Sequence, residues 1–255
     1  MAQQRVLIVN DDGIDGRGIQ LLEQMVRRFT DDIWVVAPDE ERSGASHSIS
    51  INHPIRARRR DERHFAVRGS PTDCALLGIY ELMGDGRRPD ILLSGINDGP
   101  NLAEDVLYSG TCAAAKEGAV LGIPSVALSQ MRSYGNPANW AASEAYLPDI
   151  IDRLLAMDWP PGAFVNVNVP NVAPEAITGI EVTRQGRRPA GGFVPVRRED
   201  ERFVPYYWIK ISPQAADPAA GTDLYATANN AVSVTPMHLD MTCESLVEDL
   251  SRRFA

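Results

Sequence analysis

Short apolar runs recur along the first two-thirds of the chain, and each stops abruptly at polar turn residues. Residues 6–9 (VLIV) end at Asn10-Asp11-Asp12-Gly13. This run is too short for a helix and apolar throughout, so it reads as a buried parallel strand followed by a turn. Residues 18–29 place Ile19, Leu21, Leu22, Met25, Val26 and Phe29 at helical spacing. Residues 33–37 (IWVVA) form a second strand, closed by Pro38-Asp39. Strand, helix and strand in this order, with strands apolar enough to be covered on both faces, predict a doubly wound α/β sheet.

The pattern continues with changes of period. Residues 48–58 alternate polar and apolar side chains and predict an antiparallel strand pairing with residues 65–67. Residues 72–83 read as a helix, 90–94 as a third core strand, 111–121 as a tightly packed, alanine-rich helix and 125–128 as another strand. Residues 140–157 predict a helix interrupted or restarted near Pro148. Residues 164–169 alternate Val with Asn, which suits a strand near the edge of the core. After about Ile180 the composition shifts. Residues 184–202 are rich in Arg, Gly and Pro, and 203–211 carry Tyr206, Tyr207 and Trp208, the marks of an extended hairpin. Residues 232–234 rejoin a sheet, and 244–254 form a short terminal helix.

At 255 residues the chain fits one large domain, or one domain with an extension, around an ample core. A net charge of −9 supplies no basic face, which argues against a partner that is a nucleic-acid polymer or an acidic membrane surface. It also means that a phosphate-bearing substrate would need something cationic to offset the field. No run approaches the roughly 18 apolar residues of a membrane span, and MAQQRVLIVN has no signal-peptide pattern. Cys74, Cys112 and Cys243 are odd in number and far apart, so each is expected to be a small buried hydrophobe in a reducing cytoplasm.

Four segments carry chemistry. Asn10-Asp11-Asp12-Gly13 brings two carboxylates together at the end of a buried strand, where like charges repel and burial sharpens the conflict. A divalent cation resolves it, and strand ends of this kind are where open α/β sheets bind ligands; a plain turn with an Asp cap is the alternative. Gly13, Gly16 and Gly18 resemble a dinucleotide loop only weakly, because a pyrophosphate there would meet two carboxylates. The second segment, Ser43-Gly44-Ala45-Ser46, offers hydroxyls and open backbone N–H groups to an oxyanion or hard metal, or is simply a polar loop. The third, Ser94-Gly95-Ile96-Asn97-Asp98-Gly99-Pro100-Asn101, offers Asn97 as a neutral oxygen ligand. The fourth, Tyr108-Ser109-Gly110-Thr111, precedes a helix and can cradle phosphate or cap the helix. Two carboxylates, a hydroxyl and an amide at one sheet edge make an all-oxygen set suited to Mg²⁺ or Mn²⁺.

Taken together, VLIVNDDGIDGRGI, VVAPDEERSGASHSIS, GSPTDCALLGI, PDILLSGINDGPNLAEDVLYSGTCAAAKEGA and GTDLYATANNAVSVTPMHLDMT resemble the SurE survival-protein nucleotidase family. The resemblance spans nearly the whole chain in the family's order. It implies a Rossmann-like three-layer sandwich with a mainly parallel sheet over residues 1–180. Residues 181–255 would be a protruding β-hairpin and a C-terminal oligomerisation arm that partly returns to the core. It implies hydrolysis of nucleoside 5′- and 3′-monophosphates by a homodimer or homotetramer with one divalent metal ion per subunit. Asp11, Asp12, Ser43 and Asn97 match the family's metal ligands. Asn10, Asp11 and Asp12 are the candidate catalytic residues, and Gly44, Ser109, Gly110 and Thr111 the candidate phosphate-binding ones. Asp98 and Pro100 depart from the family pattern, and an extra carboxylate there opposes an anionic substrate. His238 is a candidate proton donor or a structural histidine, and Lys116 reads as a surface charge.

Two rival readings need other residues. An aspartyl-phosphate phosphatase of the haloacid-dehalogenase type needs Asp-x-Asp, and Asn10 holds the nucleophile's position. A non-enzymatic phospho-receiver module needs an Asp at the end of a central strand, where this chain has Ser94.

Overall fold

The computed structural model describes residues 4–132, 137–211 and 218–255. A nine-stranded sheet runs in the order β3-β4-β2-β1-β5-β6-β7-β11-β8. At its centre lie β1 (Val6–Val9), β2 (Ile33–Pro38), β5 (Ile91–Asp98), β6 (Ser125–Gln130) and β7 (Ala163–Val169), all parallel, with β4 (His64–Val67) parallel beside β2. β3 (Ala57–Arg59) closes one edge antiparallel to β4. At the other edge, β11 (Ala231–His238) returns antiparallel to β7, with β8 (Gly179–Val182) outside it.

Both faces are covered, as the continuous apolar runs require. The helices α1 (Arg17–Val26) and α4 (Trp140–Leu155) lie on one face, where Leu22, Met25, Leu147 and Ile151 pack on Val6, Ile8, Leu93 and Val126. The helices α2 (Pro71–Leu77) and α3 (Gly110–Val120) cover the other, against Leu7, Val9, Val36 and Leu92. This is the expected Rossmann-like α/β sandwich. The chain passes from β1 to β2 on one side and reaches β5 on the other, so the strand order reverses at β1, the position where such sheets bind ligands.

Four local expectations change. Only the last residues of the 48–58 segment form a strand. Upstream, Ser50 gives its N–H and Oγ–H to the Asp73 carboxylate at 2.9 and 2.7 Å, and Ser70 Oγ donates to the Ser48 carbonyl at 2.6 Å. The segment is tied to the N-terminus of α2, not to a strand ladder, and Pro54 has no N–H to give one. α4 runs through Pro148 unbroken, because Ala142, Leu147, Ile150, Ile151 and Leu154 are buried on both sides of it, and that packing offsets the lost hydrogen bond. β7 lies inside the sheet between β6 and β11, and its Asn166 and Asn168 are buried. Cys74 and Cys112 are buried free thiols, whereas Cys243 is exposed at the start of α6 (Glu244–Phe254), with its Sγ 3.3 Å from Ser245 Oγ.

Beyond the sheet, β9 (Phe193–Glu199) and β10 (Pro205–Ile211) pair, among the described residues, only with each other, and Tyr207, Trp208, Ile209 and Ile211 are exposed along the ribbon. α5 (Asp223–Ala228) packs against β11.

Candidate functional site

The four chemical segments meet at the C-terminal edge of the parallel strands. Backbone hydrogen bonds join them directly. The Ile14 N–H donates to the Pro38 carbonyl and the Arg42 N–H to the Asp11 carbonyl, both at 2.8 Å, so the loop after β2 lies along the loop after β1. Ser46 donates from N to the Tyr108 carbonyl at 3.0 Å and from Oγ to the Leu107 carbonyl at 2.7 Å, which brings in the segment before α3. The Asp98 N–H donates to Asp12 Oδ2 at 3.0 Å, which brings in the end of β5.

Asp11 is buried, and burial pushes its carboxyl above the usual carboxylate range. Its partners stand at the start of α3. Thr111 Oγ1 donates to Asp11 Oδ1 at 2.6 Å, and the Gly110 and Thr111 backbone N–H groups also favour its charge. A Cβ added to Gly110 would lie 2.8 Å from Asp11 Cβ and 2.9 Å from its Oδ2, so only glycine lets the helix approach so closely. Ser109 Oγ accepts from the Cys112 N–H at 3.0 Å and caps α3. The Ser109 and Thr111 side chains are thus committed to the cap and to Asp11.

Asp12 is raised to about 6, first by desolvation, then by the charge of Asp11, with Asp98 and Glu41 adding to it. Among the described residues neither Asp11 nor Asp12 is paired with an Arg or Lys. The nearby cations are engaged elsewhere: Arg42 with Glu40 at 2.8 Å and Arg132 with Asp98 at 3.8 Å. The pair is therefore a carboxylate cluster without a compensating protein charge. Asn10 Nδ2 donates to the Gly13 carbonyl at 2.8 Å and holds the turn, while its buried Oδ1 has no partner. Asn97 Nδ2 donates to the Gly99 carbonyl at 2.8 Å, which leaves its Oδ1 as a neutral acceptor. Ser43 is exposed and donates to Glu41 Oε1 at 2.8 Å. Gly44 follows at φ +74° with open space around it.

Sequence reasoning did not single out Glu41, whose charge reaches Asp12, nor the polar pin beneath the loop after β5. Asn101 gives its N–H to Asn168 Oδ1 at 2.8 Å and its Nδ2–H to Ser129 Oγ at 2.8 Å. Its carbonyl accepts from Asn166 Nδ2 at 2.8 Å and Asn168 Nδ2 at 3.1 Å. The Val–Asn alternation in β7 was the visible signal. Asp223 is a second pin: it accepts the Ala103 N–H at Oδ2 and the Gly186 N–H at Oδ1, each at 2.8 Å.

The proton-donor reading of His238 and the surface reading of Lys116 fail here. His238 pairs with Ala163, the first residue of β7, at the opposite edge of the sheet from Asp11. Lys116 is not a surface charge: its Nζ donates to the Val106 carbonyl at 2.7 Å, and desolvation lowers its pKa.

The comparisons with known proteins agree with one another. Residues 6–191 match the family model described as Survival protein SurE. A Methylocella silvestris protein, 5′-nucleotidase SurE, is 48% identical over 241 residues, covering 93% of this chain and 94% of its own. A Phenylobacterium zucineum protein with the same description is 49% identical over 246 residues, covering 96% and 95%. The crystal structure of SurE protein from Aquifex aeolicus superimposes with a TM-score of 0.84 at 37% identity, covering 98% of this chain and all of that one.

Proposed function

The chain belongs to the SurE family, and from that premise we propose that it hydrolyses nucleoside monophosphates to nucleoside and phosphate, as a divalent-metal-dependent 5′-nucleotidase that also accepts 3′-monophosphates. The observation that carries this reading is the desolvated pair Asp11 and Asp12 at the sheet's switch point, with no cation among the described residues paired with it. The donor set fits a hard metal: two carboxylates, the free Asn97 Oδ1 and the exposed Ser43 hydroxyl, all oxygen. Among the described residues no three His, Cys, Asp or Glu side chains converge to hold a metal, so neutral oxygens must complete the set.

Asp11, Asp12, Ser43 and Asn97 would hold one Mg²⁺ or Mn²⁺ ion. When bound, the ion supplies positive charge for the phosphoryl oxygens. The protein's share is orientation. Thr111 and the start of α3 fix Asp11, the Asp98 N–H fixes Asp12, and Asn10 fixes the turn between them. The open space at Gly44 leaves its backbone N–H to phosphate oxygens, whereas the Ser109, Gly110 and Thr111 N–H groups already serve the Asp105 carbonyl and Asp11. Charge stabilisation and positioning carry most of phosphoryl-transfer catalysis.

The exposed Tyr207, Trp208, Ile209 and Ile211 of β10 and the terminal helix α6, whose Leu246, Val247, Leu250 and Phe254 are exposed, support a homodimer or homotetramer with residues 181–255 as its assembly arm. Among the described residues no helix is long and apolar enough to cross a membrane. The buried free thiols of Cys74 and Cys112 suit a cytoplasmic protein.

The test is phosphate release from nucleoside 5′- and 3′-monophosphates with Mn²⁺ or Mg²⁺, then with EDTA. Release that EDTA abolishes and metal restores is expected. Release that persists in EDTA would overturn the metal assignment, and no release from any nucleotide would overturn the nucleotidase reading.

A further inference from the structure

Outside the metal-binding groups, the structure sets an aromatic pair beside the site. The Tyr108 and Phe193 rings meet edge to face, with centroids 4.9 Å apart and planes at 62°. Both remain nearly half exposed, at 48% and 46%. We infer that this pair is the platform on which the nucleobase of the substrate stacks. The inference rests on the nucleotidase reading above and extends it to the nucleoside half of the molecule.

Position supports it first. Tyr108 stands two residues before Gly110, whose Cα abuts the Asp11 side chain, so its Cα lies within about 7 Å of that contact along the chain. Its carbonyl accepts the Ser46 N–H, which ties it to the Ser43-Gly44 loop as well. A phosphate held between these two loops leaves its ester group facing outward, and the half-exposed surface next to the cradle on the Tyr108 side is aromatic. Edge-to-face packing also leaves a ring face open, and every base has a π-face to lay on it whatever its hydrogen-bonding edge.

Rigidity supports it second. Phe193 begins β9, and a lone ribbon would be a poor platform if it swung freely. Its root is clamped to the segment before Tyr108. Gln185 Nε2 donates to the Ala103 carbonyl at 3.0 Å. Arg188 Nη1 donates to the Leu102 carbonyl and to Asp105 Oδ1, each at 2.8 Å. Asp223 joins the two strands of chain by accepting from Ala103 and Gly186. The two rings thus come from segments 85 residues apart that share one set of buried and half-buried fasteners. The bland use of the pair, gluing the ribbon to the core, needs neither ring to stay so exposed.

The test compares kcat/KM for adenosine 5′-monophosphate with that for ribose 5-phosphate, which carries the same phosphoester without a base. Wild-type protein should prefer the nucleotide. Phe193→Ala and Tyr108→Ala should each shrink that preference by about 5- to 150-fold, the range of one lost base–aromatic stack, chiefly through KM. Phe193→Tyr and Tyr108→Phe should keep it. Alanine variants with the wild-type preference ratio, or a wild type that hydrolyses both esters equally well, would overturn the platform while leaving the phosphatase reading intact. A wild type that hydrolyses neither would overturn both.

Discussion

Replacing Asp12 by Asn tests the claim that this site holds uncompensated charge. The substitution keeps size and an oxygen for the Asp98 N–H while removing one carboxylate. In the folded, metal-free protein Asp12 titrates at about 6 against an ordinary 3.8. That gap of roughly two units corresponds to about 3 kcal/mol. The sign follows from the direction. A carboxyl raised by folding stabilises the protein below about pH 4, where both states hold the proton, and that stability is lost as pH rises through about 6. Denaturant unfolding of EDTA-treated protein should therefore show Asp12→Asn gaining on wild type between pH 4 and 7 and levelling at about 3 kcal/mol. In a chain of this size that is roughly 6–12 °C in Tm. Adding Mg²⁺ or Mn²⁺ at about a hundred times its Kd should restore about 2.7 kcal/mol to wild type and nothing to the variant. Phosphate release by the variant should fall to background. A stability difference that stays flat with pH, or a variant that the metal stabilises equally, refutes the reasoning.

Two further outcomes follow from the same geometry. Gly110→Ala forces a methyl group against Asp11 and Pro71 Cγ at 2.8–2.9 Å, so it should cost about 1–3 kcal/mol on unfolding and weaken Mn²⁺ binding measured by titration calorimetry. Unchanged affinity and stability would mean that α3 does not abut the carboxylate. Asp98→Asn removes the extra negative charge beside Asp12, and KM for a nucleoside monophosphate should fall about two- to fivefold, the scale of one partly exposed charge. A higher KM would show that Asp98 assists the substrate.

The fold was legible where periodicity and burial agree. The apolar runs of β1, β2, β5 and β6 allow little but parallel strands covered on both sides, and α1 has one clear apolar stripe. The reading failed where side chains answer to tertiary partners. The alternation in residues 48–58 looks like a strand, yet Ser50 serves the buried Asp73 carboxylate. The alternation in β7 looks like an edge, yet Asn166 and Asn168 face a buried carbonyl. No local rule separates an Asn that meets water from one that meets a backbone group 65 residues away. The site followed the same division. Asp11, Asp12 and Asn97 announce themselves at strand ends, but the contact of Thr111 with Asp11 spans 100 residues and needed the fold. His238 shows the converse: a side chain with suitable chemistry, carried by its strand to the wrong edge.

The site's loops are fixed by pins, not by their own turns, and this explains why so much polarity is buried around them. An acidic pair at a strand end pushes its loops apart, and the buried Ile14, Leu102 and Val106 anchor them without fixing their polar backbone groups. Asn101 counters this by satisfying its N–H, carbonyl and amide within β6 and β7. Asp223 does the same for Ala103 and Gly186. Each neutral bond of the Asn101 kind contributes only about 1 kcal/mol net and one to the Asp223 carboxylate about 1.5–3, but breaking one leaves a buried group unpaired at about 1–3 kcal/mol, and more for a charged group. The alternatives to the observed loop position are thus penalised more than the position itself is rewarded. Such fasteners favour one geometry over many without adding much stability, which is what a cluster of like charges at a strand end requires.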